Sequence, residues 1–136
     1  MVENVPPSKV WEALQKDPKA QLVDVRTDAE WNFVGLPDLS PVGKQVVPIQ
    51  WQVYPTMAHN ADFADQLRAA GFTPEHRIFF ICRSGQRSFA AAQAAQAAGF
   101  PNAYNVGDGF EGGVDAAGHR GVATGWKAEG LPWRQR

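Results

Sequence analysis

Apolar residues in this chain come in short unbroken runs separated by segments with helical spacing. Gln21-Leu22-Val23-Asp24-Val25, Val46-Val47-Pro48-Ile49, Arg77-Ile78-Phe79-Phe80-Ile81 and Ala103-Tyr104-Asn105-Val106 read as strands. None alternates cleanly between apolar and polar, which is the pattern of strands covered on both faces. After Pro6-Pro7, Ser8 predicts an N-cap for a helix carrying Val10, Trp11 and Leu14, ended by Asp17-Pro18. Asp28 predicts the cap of a short helix with Glu30, Trp31, Phe33 and Val34. Asn60 predicts the cap of a third, in which Phe63 and Leu67 stack at i, i+4 before Gly71 stops it. Thr73-Pro74-Glu75-His76 turns the chain into the strand at Arg77, and the alanine-rich run Phe89 to Ala98 reads as a helix ending at Gly99. Gly35 to Gly43 is loop by its Gly and Pro content. So is Gly107 to Gly125, with seven glycines in nineteen residues, before a predicted short helix near Trp126 to Glu129. Strands alternating with helices make an α/β protein with a parallel sheet.

The chain has 136 residues, which is the size of one domain over 1–136 and enough to bury a core without staples. The formal charge of −1 gives no drive toward nucleic acid or membrane. Its distribution says more than its sum. No acidic residue falls between Glu75 and Asp108, while Arg77, Arg83 and Arg87 do. A single cysteine, Cys82, excludes an internal disulfide scaffold. The N-terminal residues lack the basic start and apolar stretch of a signal peptide, and no apolar run approaches the roughly 18 residues of a membrane span. A reducing cytoplasm is the expected location. His59, His76 and His119 are scattered, and no metal-ligand cluster is visible.

Cys82 opens the run Cys82-Arg83-Ser84-Gly85-Gln86-Arg87-Ser88, between an apolar strand and an alanine-rich helix. In an open α/β sheet that position lies on the ligand side. Unpaired N–H groups at a helix start favour an anion, and a cysteine there is expected to ionise more readily, helped by Arg83 and Arg87. Gly85 is expected to take a backbone angle cheap only for glycine, and the Ser84 and Ser88 hydroxyls to donate to the sulfur. A lone cysteine is usually a small buried hydrophobe. Two arginines, two serines and a glycine within seven residues do not serve packing, so the loop reads as chemistry.

These residues resemble the rhodanese-like family. The Cys82–Ser88 run is similar to its active-site loop. Asp24-Val25-Arg26 with downstream Glu30-Trp31 is similar to its second signature, and Gly125-Trp126 with Gly130-Leu131-Pro132 to its C-terminal pattern. The resemblance implies a central, mostly parallel sheet of about five strands with helices on both faces. It implies that Cys82 takes a sulfane sulfur from a small anionic donor such as thiosulfate, or from a partner protein. The persulfide would pass that sulfur to cyanide, a thiol or a protein acceptor. Arg83, Ser84, Gly85, Gln86, Arg87 and Ser88 are the expected binding loop. Asp24, Arg26 and Glu30 are the expected structural support, with Arg26 reaching Glu30 at i, i+4.

Two other readings compete. A phosphatase or arsenate reductase needs a Cys-x5-Arg loop, and the position that would carry that arginine is Ser88. A persulfide relay for a partner protein needs only the thiol. The chain departs from the family pattern at Gly35-Leu36-Pro37 and in the stretch 112–124, with Asp115, His119 and Arg120, which looks like an insertion. Trp51, flanked by Gln50, Gln52 and Tyr54, is expected on an exposed loop.

Overall fold

The computed structural model describes residues 2–53, 56–114, 116–120 and 123–135; Tyr54 and Asp115 lie outside them. The strands of the main sheet are β1 (Asn4–Val5), β2 (Ala20–Asp24), β3 (Val47–Pro48), β4 (Arg77–Ile81) and β5 (Ala103–Val106). They lie in the order β1-β5-β4-β2-β3, and every pairing is parallel. The edge strand β1 was not anticipated: two residues carry no periodicity to read. Asp24 lies opposite Ile81, and the Val25 N–H donates to the Ile81 carbonyl at 2.9 Å. The central ladder therefore closes just before Cys82.

The two-residue period of the strands sorts the core onto two faces. Leu22, Phe79, Ile81 and Val106 pack with Val10 and Leu14 of α1 (Pro7–Lys16), and with Leu39, Phe110 and Trp126. Val23, Ile78, Phe80 and Cys82 pack with Phe63 and Leu67 of α3 (Phe63–Ala69) and with Ala91, Ala92 and Ala95 of α4 (Gln86–Ala97). The expected helices on both faces are present, as is the five-stranded parallel sheet.

The helix starts differ from the sequence reading. α1 begins at Pro7, whose fixed φ suits the first helical position, with Pro6 as cap residue. Ser8 is already inside the helix, and its N–H is taken by Glu129 Oε1 at 3.1 Å. The cap of α2 (Asp28–Phe33) is Thr27, in a capping box with Glu30, not Asp28. Before α3 the Asn60 side chain accepts from the Asp62 N–H at 3.1 Å, so it shapes the preceding turn, and Asp62 is the cap residue. α4 begins at Gln86, three residues earlier than the apolar pattern indicates, so Gln86, Arg87 and Ser88 belong to its first turn. Residues 126–129 form a turn rather than a helix, closed by Glu129 N–H to Gly125 O and Gly130 N–H to Lys127 O. Part of the predicted loop, Leu36–Pro37, pairs antiparallel with Trp133–Arg134 and ties the C-terminal segment to the loop after α2. Among the described residues no helix is long and apolar enough to cross a membrane.

Candidate active site

Only Cys82 to Gly85 separate the last residue of β4 from the first of α4. Gly85 holds the cap position at φ +110° and ψ −8°, a conformation other residues adopt at a cost. This turn brings its N–H to 3.1 Å from the Cys82 sulfur. The Ser88 Oγ, from the first turn of α4, lies 3.2 Å from the same atom. Among the described residues these are the sulfur's hydrogen-bond partners; Ser84 and Gln86 are not. Cys82 is only 1 % exposed, yet its sulfur meets polar groups and the positive end of a twelve-residue helix.

The base of the loop is held by the segment after β5. Phe110 N–H donates to the Cys82 carbonyl at 2.8 Å, and the N–H groups of Glu111 and Gly112 to the Arg83 carbonyl at 2.9 and 3.1 Å. This clamp passes so close that a Cβ on Gly109 would stand 2.4 Å from the Cys82 carbonyl oxygen. The glycine-rich composition marked a loop here, but nothing in it revealed the contact. Within the stretch 112–124, Gly113 N–H donates to Thr124 Oγ1 at 3.2 Å and Arg120 to the Gly112 carbonyl at 2.8 Å.

The charges pair differently from the expected scheme. Arg87 makes a two-pronged ion pair with Glu30, at 2.6 and 2.9 Å, with the side chains 20 % and 21 % exposed. Burial pushes the Glu30 carboxyl up. The Arg87 hydrogen bond and charge, the Thr27 N–H and the Arg26 charge outweigh it, so the carboxyl ends below its ordinary value. Arg87 is raised, first by that bond to Glu30, with burial opposing and the Glu30 and Asp24 charges adding. Much of its charge is therefore spent on Glu30 rather than offered to a ligand. The Arg83 side chain is exposed and forms no ion pair among the described residues.

Arg26 does not reach Glu30. It precedes the cap residue Thr27, so the helical i, i+4 geometry does not apply to it. Its Nε and Nη2 bond Asp24 instead, at 2.9 and 2.6 Å, both side chains fully buried. Nη2 also donates to the Gly35 carbonyl at 2.6 Å, and the guanidinium lies 4.4 Å from the Phe110 ring centre. The pair stands at the end of β2, beside the end of β4.

Glu30→Gln tests the first of these pairs. A lowered carboxyl stabilises the fold fully above the ordinary glutamate range, near 4.5, and that stabilisation is lost as pH falls through the lower folded value. Chemical unfolding across pH is expected to show the variant weaker by on the order of 2 kcal/mol at pH 7, with the two curves converging in acid. Parallel curves across the whole range would refute the coupling.

Two features beside the Cys82 loop escaped the sequence reading. Asn105 of β5 is 3 % exposed, and its Oδ1 lies 2.5 Å from Ser88 Oγ. Its Nδ2 donates to Asn4 Oδ1 at 2.8 Å and to the Gly85 carbonyl at 3.1 Å. An asparagine inside an apolar strand was the available signal, because such residues are depleted in strands and buried ones need partners. A cavity of about 570 Å³ opens beside the loop, lined by Asn4, Ser84, Gln86, Phe89, Asn105 and Asp108 among others. Another cleft, of about 500 Å³, is lined by Lys9, Glu12 and Arg77 and lies toward the opposite ends of the strands. Trp51, expected on an exposed loop, is half-buried, its ring edge-on to His59 and Phe63 and its backbone N–H donating to the Val25 carbonyl. Among the described residues no three His, Cys, Asp or Glu side chains are grouped to hold a metal ion.

The family model described as the STR4 middle domain matches residues 4–136. The crystal structure of Rv0390 from M. tuberculosis superimposes with a TM-score of 0.89 at 50% identity, over 99% of this chain and 98% of that one. An uncharacterized protein of Rickettsia conorii is 40% identical over 134 residues, 98% of each chain. The chloroplastic rhodanese-like domain-containing protein 4 of Arabidopsis thaliana is 29% identical over 124 residues, 88% of this chain and 23% of that protein. Since the match runs through the strand end at Asp24, the Cys82 loop and the clamp that holds it, this chain belongs to the STR4 middle domain family and is a rhodanese-like protein.

Proposed function

We propose that the protein is a sulfurtransferase in which Cys82 carries a sulfane sulfur as a persulfide. One observation carries this reading: the thiol sulfur stands at the mouth of α4 with the Gly85 N–H on it, in a turn of four residues. A turn this tight is sized for one added sulfur atom. A phosphate loop would need its arginine where Ser88 stands, buried and directed at the sulfur.

With thiosulfate, the deprotonated sulfur of Cys82 attacks the donor's outer sulfur. A Cys82 S–S bond forms, the donor's S–S bond breaks, and its electron pair leaves on sulfite. The persulfide anion then gives its outer sulfur to cyanide or a thiol acceptor, and the electron pair of the broken bond returns to Cys82. Loop N–H groups stabilise the anion at each stage, preorganised so that nothing has to rearrange during the step. Arg83 is the exposed charge that draws an anionic donor in, and Arg87 with Glu30 holds the first turn of α4 in place.

Intact mass after incubation with thiosulfate and then cyanide tests this. The protein is expected to gain one sulfur atom, to lose it to cyanide, and to gain none as Cys82→Ser. Failure of thiosulfate and persulfide donors alike to load Cys82 would sink the proposal. A second reading, a relay fed by a partner protein, is favoured by the pairing of Arg87 with Glu30, which weakens the field available to a small dianion. Loading from a persulfidated protein but not from thiosulfate would select it.

A further inference from the structure

Ser88 has one hydroxyl proton and two neighbours that could take it. Its Oγ is 3.2 Å from Cys82 Sγ and 2.5 Å from Asn105 Oδ1, and all three residues are buried. The far end of the Asn105 amide decides between them. Nδ2 faces the Gly85 carbonyl at 3.1 Å and the Asn4 side-chain oxygen at 2.8 Å. A backbone carbonyl only accepts, so the amide cannot be turned round, and its oxygen must face Ser88. An amide oxygen also only accepts. The hydroxyl proton therefore lies on the Ser88–Asn105 line, the shorter of the two contacts, and Ser88 turns a lone pair toward the sulfur. A thiol satisfies that lone pair with its S–H. A thiolate leaves two electron-rich atoms face to face.

We propose that Asn105 is a positioning residue that captures the Ser88 proton, presents Ser88 to Cys82 as an acceptor, and so holds the resting sulfur as a thiol. The functional meaning of this hold rests on the sulfur-transfer reading of the site. Besides the Gly85 N–H, the charged groups on the elements that carry or adjoin the loop are Arg83 of the loop itself, Arg87 of α4 paired with Glu30 of α2, the Asp24–Arg26 pair at the end of β2, and Asp108 after β5. On the β5 side the sulfur's neighbour through Ser88 is the neutral Asn105. Release requires the hydroxyl to swing from Asn105 to the sulfur as the proton departs. With thiosulfate the balance is thiol plus thiosulfate dianion giving persulfide anion plus hydrogen sulfite. One S–S bond forms, one breaks, and both electron pair and proton leave on the sulfite. Cys82 is thus shielded until a donor able to take the proton arrives.

A double-mutant cycle reads this directly. Ser88→Ala, Asn105→Ala and the double variant are treated with iodoacetamide at pH 7, and Cys82 alkylation is followed by intact mass, with thermal melting as a check on folding. Asn105→Ala frees the hydroxyl to serve the thiolate and is expected to speed alkylation on the order of tenfold, the worth of one hydrogen bond to a charged group. In the Ser88→Ala background the same change is expected to do nothing further. An unchanged or slower rate in Asn105→Ala, or the same acceleration without Ser88, overturns the proposal. Should Asn105→Ala fail to fold, Ser88→Ala alone decides. Loss of an acceptor speeds alkylation, whereas a marked slowing shows that Ser88 donates to the sulfur, which also overturns the proposal. Alkylation involves no sulfur donor, so a failed sulfur-loading experiment and a failed cycle are separate results.

Discussion

Asp24→Ala is expected to lower the unfolding free energy by about 3–5 kcal/mol in denaturant titrations, the cost of stripping a buried charge of its partner. Arg26 would remain fully buried with its positive charge and one surviving bond, from Nη2 to the Gly35 carbonyl. Since small domains hold roughly 5–15 kcal/mol in all, such a variant would stand near the edge of folding. The double substitution Asp24→Leu with Arg26→Met removes both charges together and is expected to recover most of the loss. That contrast separates an ion pair needed as a pair from one that stabilises outright. A loss below about 1 kcal/mol for Asp24→Ala would show that water reaches Arg26, and the structural role given to this pair would be wrong.

Gly109→Ala is expected to damage the site and the fold together. The new methyl would stand 2.4 Å from the Cys82 carbonyl oxygen and 2.7 Å from Arg83 backbone atoms, at a φ of +63°. These are backbone atoms of the Cys82 loop, so relief must come from moving the loop. The bonds from Phe110, Glu111 and Gly112 to those carbonyls would be lost with it. A cost of about 3–4 kcal/mol is expected, with sulfur loading falling at least tenfold even where the protein remains folded. Gly43→Ala is the control: φ is +72° there, but no atom lies within 4 Å of the added methyl. It should cost only the conformational part, about 1–2 kcal/mol, and leave loading intact. Equal losses in the two variants would mean that close approach at Gly109 contributes nothing.

Much of this was legible in the chain. The strands Arg77–Ile81 and Ala103–Val106 have the predicted bounds, because a run that buries both faces leaves a continuous apolar signal. The strand-to-helix turn at Cys82–Gly85 was legible because Gly85 stands between an apolar run and an alanine-rich one. Helix starts were less so. Ser8, Asp28 and Asn60 are all good capping residues, yet the caps are Pro6, Thr27 and Asp62. At α1 the fixed φ of Pro7 starts the helix ahead of Ser8, and the Ser8 N–H bonds Glu129.

Local sequence determined the α/β class, the strand that delivers the thiol, and the glycine that bends the chain back onto it, because each depends on neighbours a few residues apart. Which carboxylate meets which arginine, and which group takes the proton of Ser88, was decided only by the packing of β2, β4, β5 and α4. Glu30 meets Arg87 fifty-seven positions away, and Asn105 meets Ser88 seventeen away. Electrostatic and hydrogen-bond partners are set by distance in space, and no spacing along the chain encodes it.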